Sequence, residues 1–531
     1  MLDSPDAQGR LKDREPVAII DIGSNSVRLV IFEGMVRAPS ILFNEKVSAG
    51  LGRGIEKTGR MNDDGVCSAL KALRRYSAVC DQVGVSEKFV LATAAAREAE
   101  NGPSFIAEAE GALGTEITIL TGEEEALYAA TGIKSAFFQP DGFVGDLGGG
   151  SLELTNIAEQ QIEERITLPL GVIRLEERSE ASLKTARKLA TTDLQASKLG
   201  KHASGRPFYC VGGTWRNLAK LHMHAAKYPL RVTHGYEVDA LELLTFLDEL
   251  LSNKIDNLPG IDEVSKSRRA LLPYGATVLK ALIEEFAPSK IIFSAYGVRE
   301  GFLFSKLHPA VQVSDALLEA SDELAILRSR SPQHARELAE WTSASFKAFG
   351  IDETIQESRY RLAACRLADI GWRAHPDYRA AQALAIIAYG HFVQISHQGR
   401  AFISLANYFR YQGIKNDNLA PELIEVATPR ILSRARYLAA FMRVGYLLTA
   451  AMPGVLPELK WSASDDETLR LHLPSELAKM RGERLNGRLN QLSKVMDRTV
   501  EMVVDDDRRS NGLNGQSAIT EPDGELASDQ L

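Results

Sequence analysis

The chain predicts an α/β protein of two related lobes, followed by a mostly helical region. Three observations carry that expectation. From Val17 to about Phe304, short β-like runs alternate with helical ones, and Gly-rich turns lie between them. Within that stretch one phrase is written twice, DIGSNSVR at 21–28 and DLGGGSLE at 146–153. After about residue 310 the apolar residues fall at helical spacing, as in ARELAEWTSASFKAFG and AAQALAIIAYGHFVQI.

Taken in order, residues 1–15 read as a flexible polar lead with no apolar segment of the signal-peptide kind. The runs VAII, VRLVIF, KFVLAT and EITIL place a first α/β domain over 16–140. FVGDLG, LELTNI, PFYCVGG and KIIFSA place a second over 141–311. Residues 312–505 form the helical domain, and the Gly/Asp/Ser-rich 506–531 reads as a disordered tail. The longest apolar stretch, YLAAFMRVGYLLTAAMPGVL, contains Arg443 and Pro453, so it reads as a buried helix and not a membrane span.

Composition narrows the function. A length of 531 residues suggests three or four domains. A net charge of −8 argues against a general nucleic-acid or membrane-surface binder. A polyanionic substrate needs only a local basic groove. Four scattered cysteines, with no C-x-x-C pair, suggest neither a zinc site nor a disulfide framework and fit a reducing cytoplasm.

Each copy of the repeated phrase follows an apolar run and precedes period-two alternation, which predicts a β-hairpin with a Gly-rich turn. Val27, Leu29 and Ile31 share one face, with Ser26 and Arg28 on the other; Leu152 and Leu154 oppose Ser151, Glu153 and Thr155. Consecutive backbone N–H groups in such a turn can form an anion nest, to which serine adds a hydroxyl. An Asp at the end of the incoming strand, Asp21 or Asp146, would repel a bare phosphate unless a divalent cation lay between them. Two such loops facing each other would grip a terminal phosphate from both sides. FYCVGGTWRNLAKL at 208–221 adds a strand, a Gly-Gly-Thr turn and a helix, which either aims N–H groups at an anion or simply turns the chain. In TGEEEALYAATGIKSAFF, Thr121 and Glu124 form a capping box at a helix start. Periodicity alone does not choose among Glu123, Glu124 and Glu125.

These stretches, with LATAAAREAEN, LPLGVIRLEE and SAYGVREGFLF, resemble in order the exopolyphosphatase/guanosine pentaphosphate phosphohydrolase (Ppx/GppA) family of the acetate and sugar kinase/Hsp70/actin superfamily, over about 17–304. The resemblance implies two duplicated ribonuclease H-like domains with mixed sheets, plus an HD-like helical domain. No His directly precedes Asp in this chain, and LADIG at 367–371 stands where that pair is expected, so a metal-bearing HD site is not expected. One glutamate stands where the family usually has arginine, in Gly122-Glu123-Glu124-Glu125-Ala126.

The resemblance makes Glu125 the residue that directs the attacking water. It implies Mg²⁺ or another divalent cation at Asp146 and Glu153, with Asp21 either assisting or fixing its own loop. Gly23, Ser24, Asn25 and Ser26 would cradle phosphate from one lobe, and Gly148, Gly149, Gly150 and Ser151 from the other. Arg97 contacts phosphate or pairs with Glu98 or Glu100. Gly212, Gly213 and Thr214 line the cleft or turn the chain, and Arg299 is either a cleft residue or an internal hydrogen-bonding one, the second being the favoured reading. A long polyphosphate needs further cations. Candidates are Lys266, Arg268 and Arg269, and a helical stripe of Arg430, Arg434, Arg436 and Arg443. His391 and His397 read as packing or surface residues.

The expected activity is exopolyphosphatase, releasing orthophosphate from the ends of inorganic polyphosphate. The near alternative is hydrolysis of guanosine pentaphosphate, or both. A small-molecule kinase and a non-catalytic nucleotide-binding protein are the readings from other classes. A homodimer is an expected partner state.

Overall fold

A computed structural model describes residues 10–11, 14–414, 421–464 and 468–505. The proposed tail and most of the lead lie outside these residues. The part of the lead that is described is tied down, because Arg14 pairs with Glu323 at 2.5 Å and the Leu11 N–H donates to Glu33 at 3.2 Å.

The duplication is explicit in the sheets. The first contains β1 (Val17–Ile22), β2 (Val27–Phe32), β3 (Ile41–Val47), β4 (Glu87–Ala92) and β5 (Thr118–Ile119), in the order β3-β2-β1-β4-β5. The second contains β6 (Gly142–Leu147), β7 (Leu152–Ala158), β8 (Gln161–Leu168), β9 (Phe208–Val211), β10 (Tyr236–Asp239) and β11 (Lys290–Phe293), in the order β10-β11-β9-β6-β7-β8. In both, the first two strands pair antiparallel and the first and fourth pair parallel. The apolar face read from the sequence is fully buried at Val27, Leu29, Ile31, Leu152 and Leu154, and Glu153 and Thr155 on the opposite face of β7 are buried as well.

Not all of residues 141–311 packs with the second lobe. The helix Val298–Lys306 leaves the second lobe and lays Phe302 and Leu303 against Val17, Ile19 and Phe32 of the first sheet. There it crosses the helix Gly122–Ala136 glycine to glycine. A Cβ on Gly301 would lie 1.8 Å from the Tyr128 carbonyl oxygen, and one on Gly132 2.4 Å from that of Gly297. This close crossing joins the lobes behind the cleft, because backbones approach this closely only where no side chain intervenes.

The helical domain buries Leu338, Trp341, Phe346, Tyr408 and Phe441 in its own core. It also carries a small sheet, β12 (Lys460–Ser464), β13 (Thr468–Leu473) and β14 (Thr499–Val504), which the helical reading missed. The alternation was present, since Leu469, Leu471 and Leu473 are buried in turn along β13. Asp369 of LADIG is held by Arg330 through two 2.8 Å hydrogen bonds and by Arg410 at 3.4 Å. His391 stacks on Tyr296 of the second lobe, and His397 bonds the Tyr228 hydroxyl at 2.9 Å, so both histidines pack the junction with the helical domain.

Candidate active site

The two copies of the repeated phrase form matching turns that meet. The Gly23 N–H donates to the Ser26 carbonyl at 3.1 Å, and the Gly148 N–H to that of Ser151 at 3.0 Å. Their glycines serve close approach. A Cβ on Gly149 would lie 3.1 Å from the Ser24 Cβ, and one on Gly150 3.2 Å from the Ser24 Oγ. Positive φ is used instead at Gly212 (φ 110°), where a Cβ would stand 2.5 Å from the Leu147 carbonyl oxygen.

A cavity of about 190 Å³ opens between the lobes. Gly23 to Ser26, Gly148 to Ser151, Gly212 to Thr214, Asp21, Asp146, Glu153 and Glu125 all line it. Gly212, Gly213 and Thr214 therefore face the cleft.

Glu125 is singled out by its place on the helix. The capping box forms as expected: the Glu124 N–H donates to the Thr121 hydroxyl at 3.2 Å, and the Thr121 N–H to the Glu124 carboxylate at 2.8 Å. Glu123 and Glu124 face solvent, while Glu125 turns inward and is 6% exposed. Burial pushes its carboxyl up to about 7, against the pull of Arg97, whose Nη1 donates to Glu125 Oε1 at 2.6 Å. Arg97 also donates to the Leu120 carbonyl and pairs with Glu98 at 3.4 Å. It lies outside the cavity lining and holds the Glu125 carboxylate, and of the two readings for it the ion pair with Glu98 is the one present.

The eighth position of the template separates the lobes. Asp21 is the cross-strand partner of Arg28, whereas Asp146 is the partner of Glu153. Directly opposed residues on an antiparallel pair share a face, so the second lobe presents two carboxylates side by side. Burial, then neighbouring carboxylates, raise both: Asp146 to about 6 and Glu153 well above its ordinary value. Glu153 Oε1 is buried with no hydrogen-bond partner. An orphaned carboxylate oxygen beside a second carboxylate fits a hard divalent cation, which needs only one or two protein carboxylates when phosphate and water complete its shell. Asp21 is engaged otherwise, accepting from Arg299 Nη1 at 2.9 Å. Among the described residues no cluster of three or more His, Cys, Asp or Glu forms a full metal cage.

The remaining wall is cationic. Arg28, Lys46, Arg216, Arg268 and Arg299 line the cavity, and no aromatic side chain does. Burial and the adjacent Arg268 and Arg28 lower Lys46 to about 7. Burial and Arg299 likewise lower Arg28 to about 10. Lys46 and Arg216 were missed. Arg216 follows the Gly-Gly-Thr turn by two residues, and Lys46 is the cross-strand partner of Arg28, so proximity to the recognised turns was the available signal.

Among the described residues the cations expected to form an outer groove do not come together. Of these only Arg268 reaches the cavity. Arg269 pairs with Asp256 at 3.2 Å and Asp262 at 3.4 Å, and Lys266 is exposed outside the lining. Arg434 pairs with Asp352 at 2.7 Å, and Arg430 with Glu357 at 2.5 Å. Arg443 donates to the carbonyls of Phe409 and Arg410, and Arg436 lies over the Phe409 ring. Helical spacing set these arginines on one helix, and acids and carbonyls of neighbouring helices then took them up.

Comparison with known proteins agrees with this architecture. The model of the Ppx/GppA phosphatase family matches residues 29–310, and that of the exopolyphosphatase C-terminal domain matches 317–503. Retrograde regulation protein 2 of Saccharomyces cerevisiae is 26% identical over 452 residues, 78% of this chain and 75% of that protein. Exopolyphosphatase 1 of Mycobacterium bovis is 23% identical over 333 residues, 60% of this chain and 96% of that protein. Among solved structures, an exopolyphosphatase from Cytophaga hutchinsonii superposes with a TM-score of 0.50 at 19% identity, covering 55% of this chain and 97% of that one. No helix among the described residues is long and apolar enough to cross a membrane. With one family model spanning both lobes and a second spanning the helical domain, the chain belongs to the Ppx/GppA phosphatase family.

Proposed function

We propose that this protein is an exopolyphosphatase that releases orthophosphate from the ends of inorganic polyphosphate. The observation that carries the reading is the cavity wall: two serine-bearing phosphate loops, a buried carboxylate and five cationic side chains, without an aromatic surface on which a guanine would stack. The cations stand inside the cleft, where they serve the terminal and adjoining phosphates.

Phosphoanhydride hydrolysis needs an aligned water, neutralised phosphoryl charge and a held leaving group. In this reading the loops at Gly23–Ser26 and Gly148–Ser151 hold the terminal phosphate from both lobes. Glu125 accepts a proton from the attacking water. The new P–O bond forms as the bridging P–O bond breaks, and its electron pair leaves on the shortened chain. A divalent cation held by Asp146 and Glu153 would supply charge neutralisation on the phosphates. Arg28, Lys46, Arg216 and Arg268 hold the departing chain, and Arg299 steadies Asp21.

The test is phosphate release from long polyphosphate and from guanosine pentaphosphate, run in parallel on the protein and on Glu125→Ala. The reading expects turnover on polyphosphate, lost in the folded variant. Preference for guanosine pentaphosphate would move the assignment to the nucleotide. A fully active variant would reject Glu125.

A further inference from the structure

The segment LPLGVIRLEE is not used by the chemistry above, yet its arginine crosses the cleft. The helix Val172–Arg178 is joined to the second phosphate loop, since the Val172 and Ile173 N–H groups donate to the Gly148 and Gly149 carbonyls at 3.1 and 2.9 Å. Gly171 makes this possible: a Cβ there would lie 2.2 Å from the Gly150 carbonyl carbon. From this helix Arg174 reaches the first lobe, pairing through Nε with Glu56 at 2.6 Å and through Nη2 with Glu98. Glu177 of the same helix accepts the Gly54 N–H at 2.7 Å.

Glu98 joins the two ion pairs. It lies beside Arg97 and pairs with its Nη2 at 3.4 Å, while Nη1 of the same guanidinium holds Glu125 at 2.6 Å. Arg97 thus serves two carboxylates, and Arg174 supplies the countercharge for one of them. If the lobes part, Glu98 loses Arg174 and competes more strongly for Arg97, which draws the guanidinium off Glu125. These side chains are partly exposed, with Arg174 at 16% and Glu98 at 35%. Such pairs contribute little net stability, so the contact can open and re-form.

We propose that Arg174 is a positioning residue that couples closure of the two lobes to the posture of Glu125, through Glu98 and Arg97. The proposal rests on the assignment of Glu125 above. The test uses the full chain carrying Arg174→Gln, Glu98→Gln and both, with kcat and KM measured on polyphosphate. Arg174→Gln is expected to lower kcat roughly tenfold with KM changed less than about threefold, an orientation loss. Adding Glu98→Gln removes the competitor and is expected to recover most of that loss, which repair of a merely structural contact would not do. A double variant as slow as Arg174→Gln, or a change in KM alone, overturns the proposal. If the unaltered protein hydrolyses neither substrate, the hydrolase reading fails separately. Hydrogen exchange then decides the relay: Arg174→Gln should loosen residues 94–100 and the added Glu98→Gln should tighten them, whereas unchanged exchange there overturns it.

Discussion

Glu125→Gln keeps the shape of the side chain and removes its basicity. The structure sets two magnitudes for it. A positioned general base contributes roughly 10²–10⁴-fold, or about 3–5 kcal/mol of transition-state stabilisation. The carboxyl is also raised from an ordinary 4.5 to about 7 by burial. A base with that value is about one-tenth ionised at pH 6 and nine-tenths at pH 8, so kcat/KM should rise roughly tenfold between them. The rising limb should vanish in Glu125→Gln. Stability moves in the opposite sense. The folded protein holds this proton more tightly than the unfolded chain, so the contribution is full below about 4.5 and is lost as pH rises through about 7. The variant cannot titrate here, so it should gain stability relative to the parent as pH rises from 5 to 8. Phosphate release and urea unfolding across pH 5–8.5 measure both. A flat kcat/KM profile in the parent, or a variant within threefold of it, would refute the assignment.

Other perturbations test separate parts of the site. Gly171→Ala drives a methyl into Gly150 and should cut kcat at least tenfold while far-UV circular dichroism stays unchanged. Glu153→Gln removes one of the two opposed carboxylates, and the Mg²⁺ concentration for half-maximal rate should rise at least about tenfold in a metal titration. Lys46→Ala should raise KM for polyphosphate roughly tenfold, from loss of one charge-assisted contact, with kcat little changed and the difference shrinking at high salt. Arg359→Ala removes a guanidinium stacked 3.8 Å over Phe138 and paired with Asp315. It should lower the calorimetric unfolding midpoint, a loss of about 3 kcal/mol at the junction with the helical domain.

The local devices were legible because each is written in adjacent residues. DIGSNSVR and DLGGGSLE encode hairpins through their alternation, and Thr121 with Glu124 encodes a helix start. The inward turn of Glu125 became visible only with the helix packed, when one of three consecutive acids faced the cleft. The arginines at 430–443 show the converse: helical spacing grouped them, but Asp352, Glu357 and the carbonyls of another helix decided what they touch. Likewise β13 was hidden by its setting, since its alternating leucines stand within a helix-rich region.

By itself the sequence determined the strands, the caps, the two Gly- and Ser-bearing turns and their duplication, because these depend on contacts within a few residues and on hydrophobic period. Only the tertiary structure decided that the lobes close on one cavity, that helix Val298–Lys306 returns to the first sheet, and that Arg97 faces Glu125. It also decided that Arg28, Lys46, Arg216 and Arg268 converge. Those outcomes join residues up to hundreds of positions apart. Which charges then meet is set by burial and by the partner each finds, quantities that no local spacing contains.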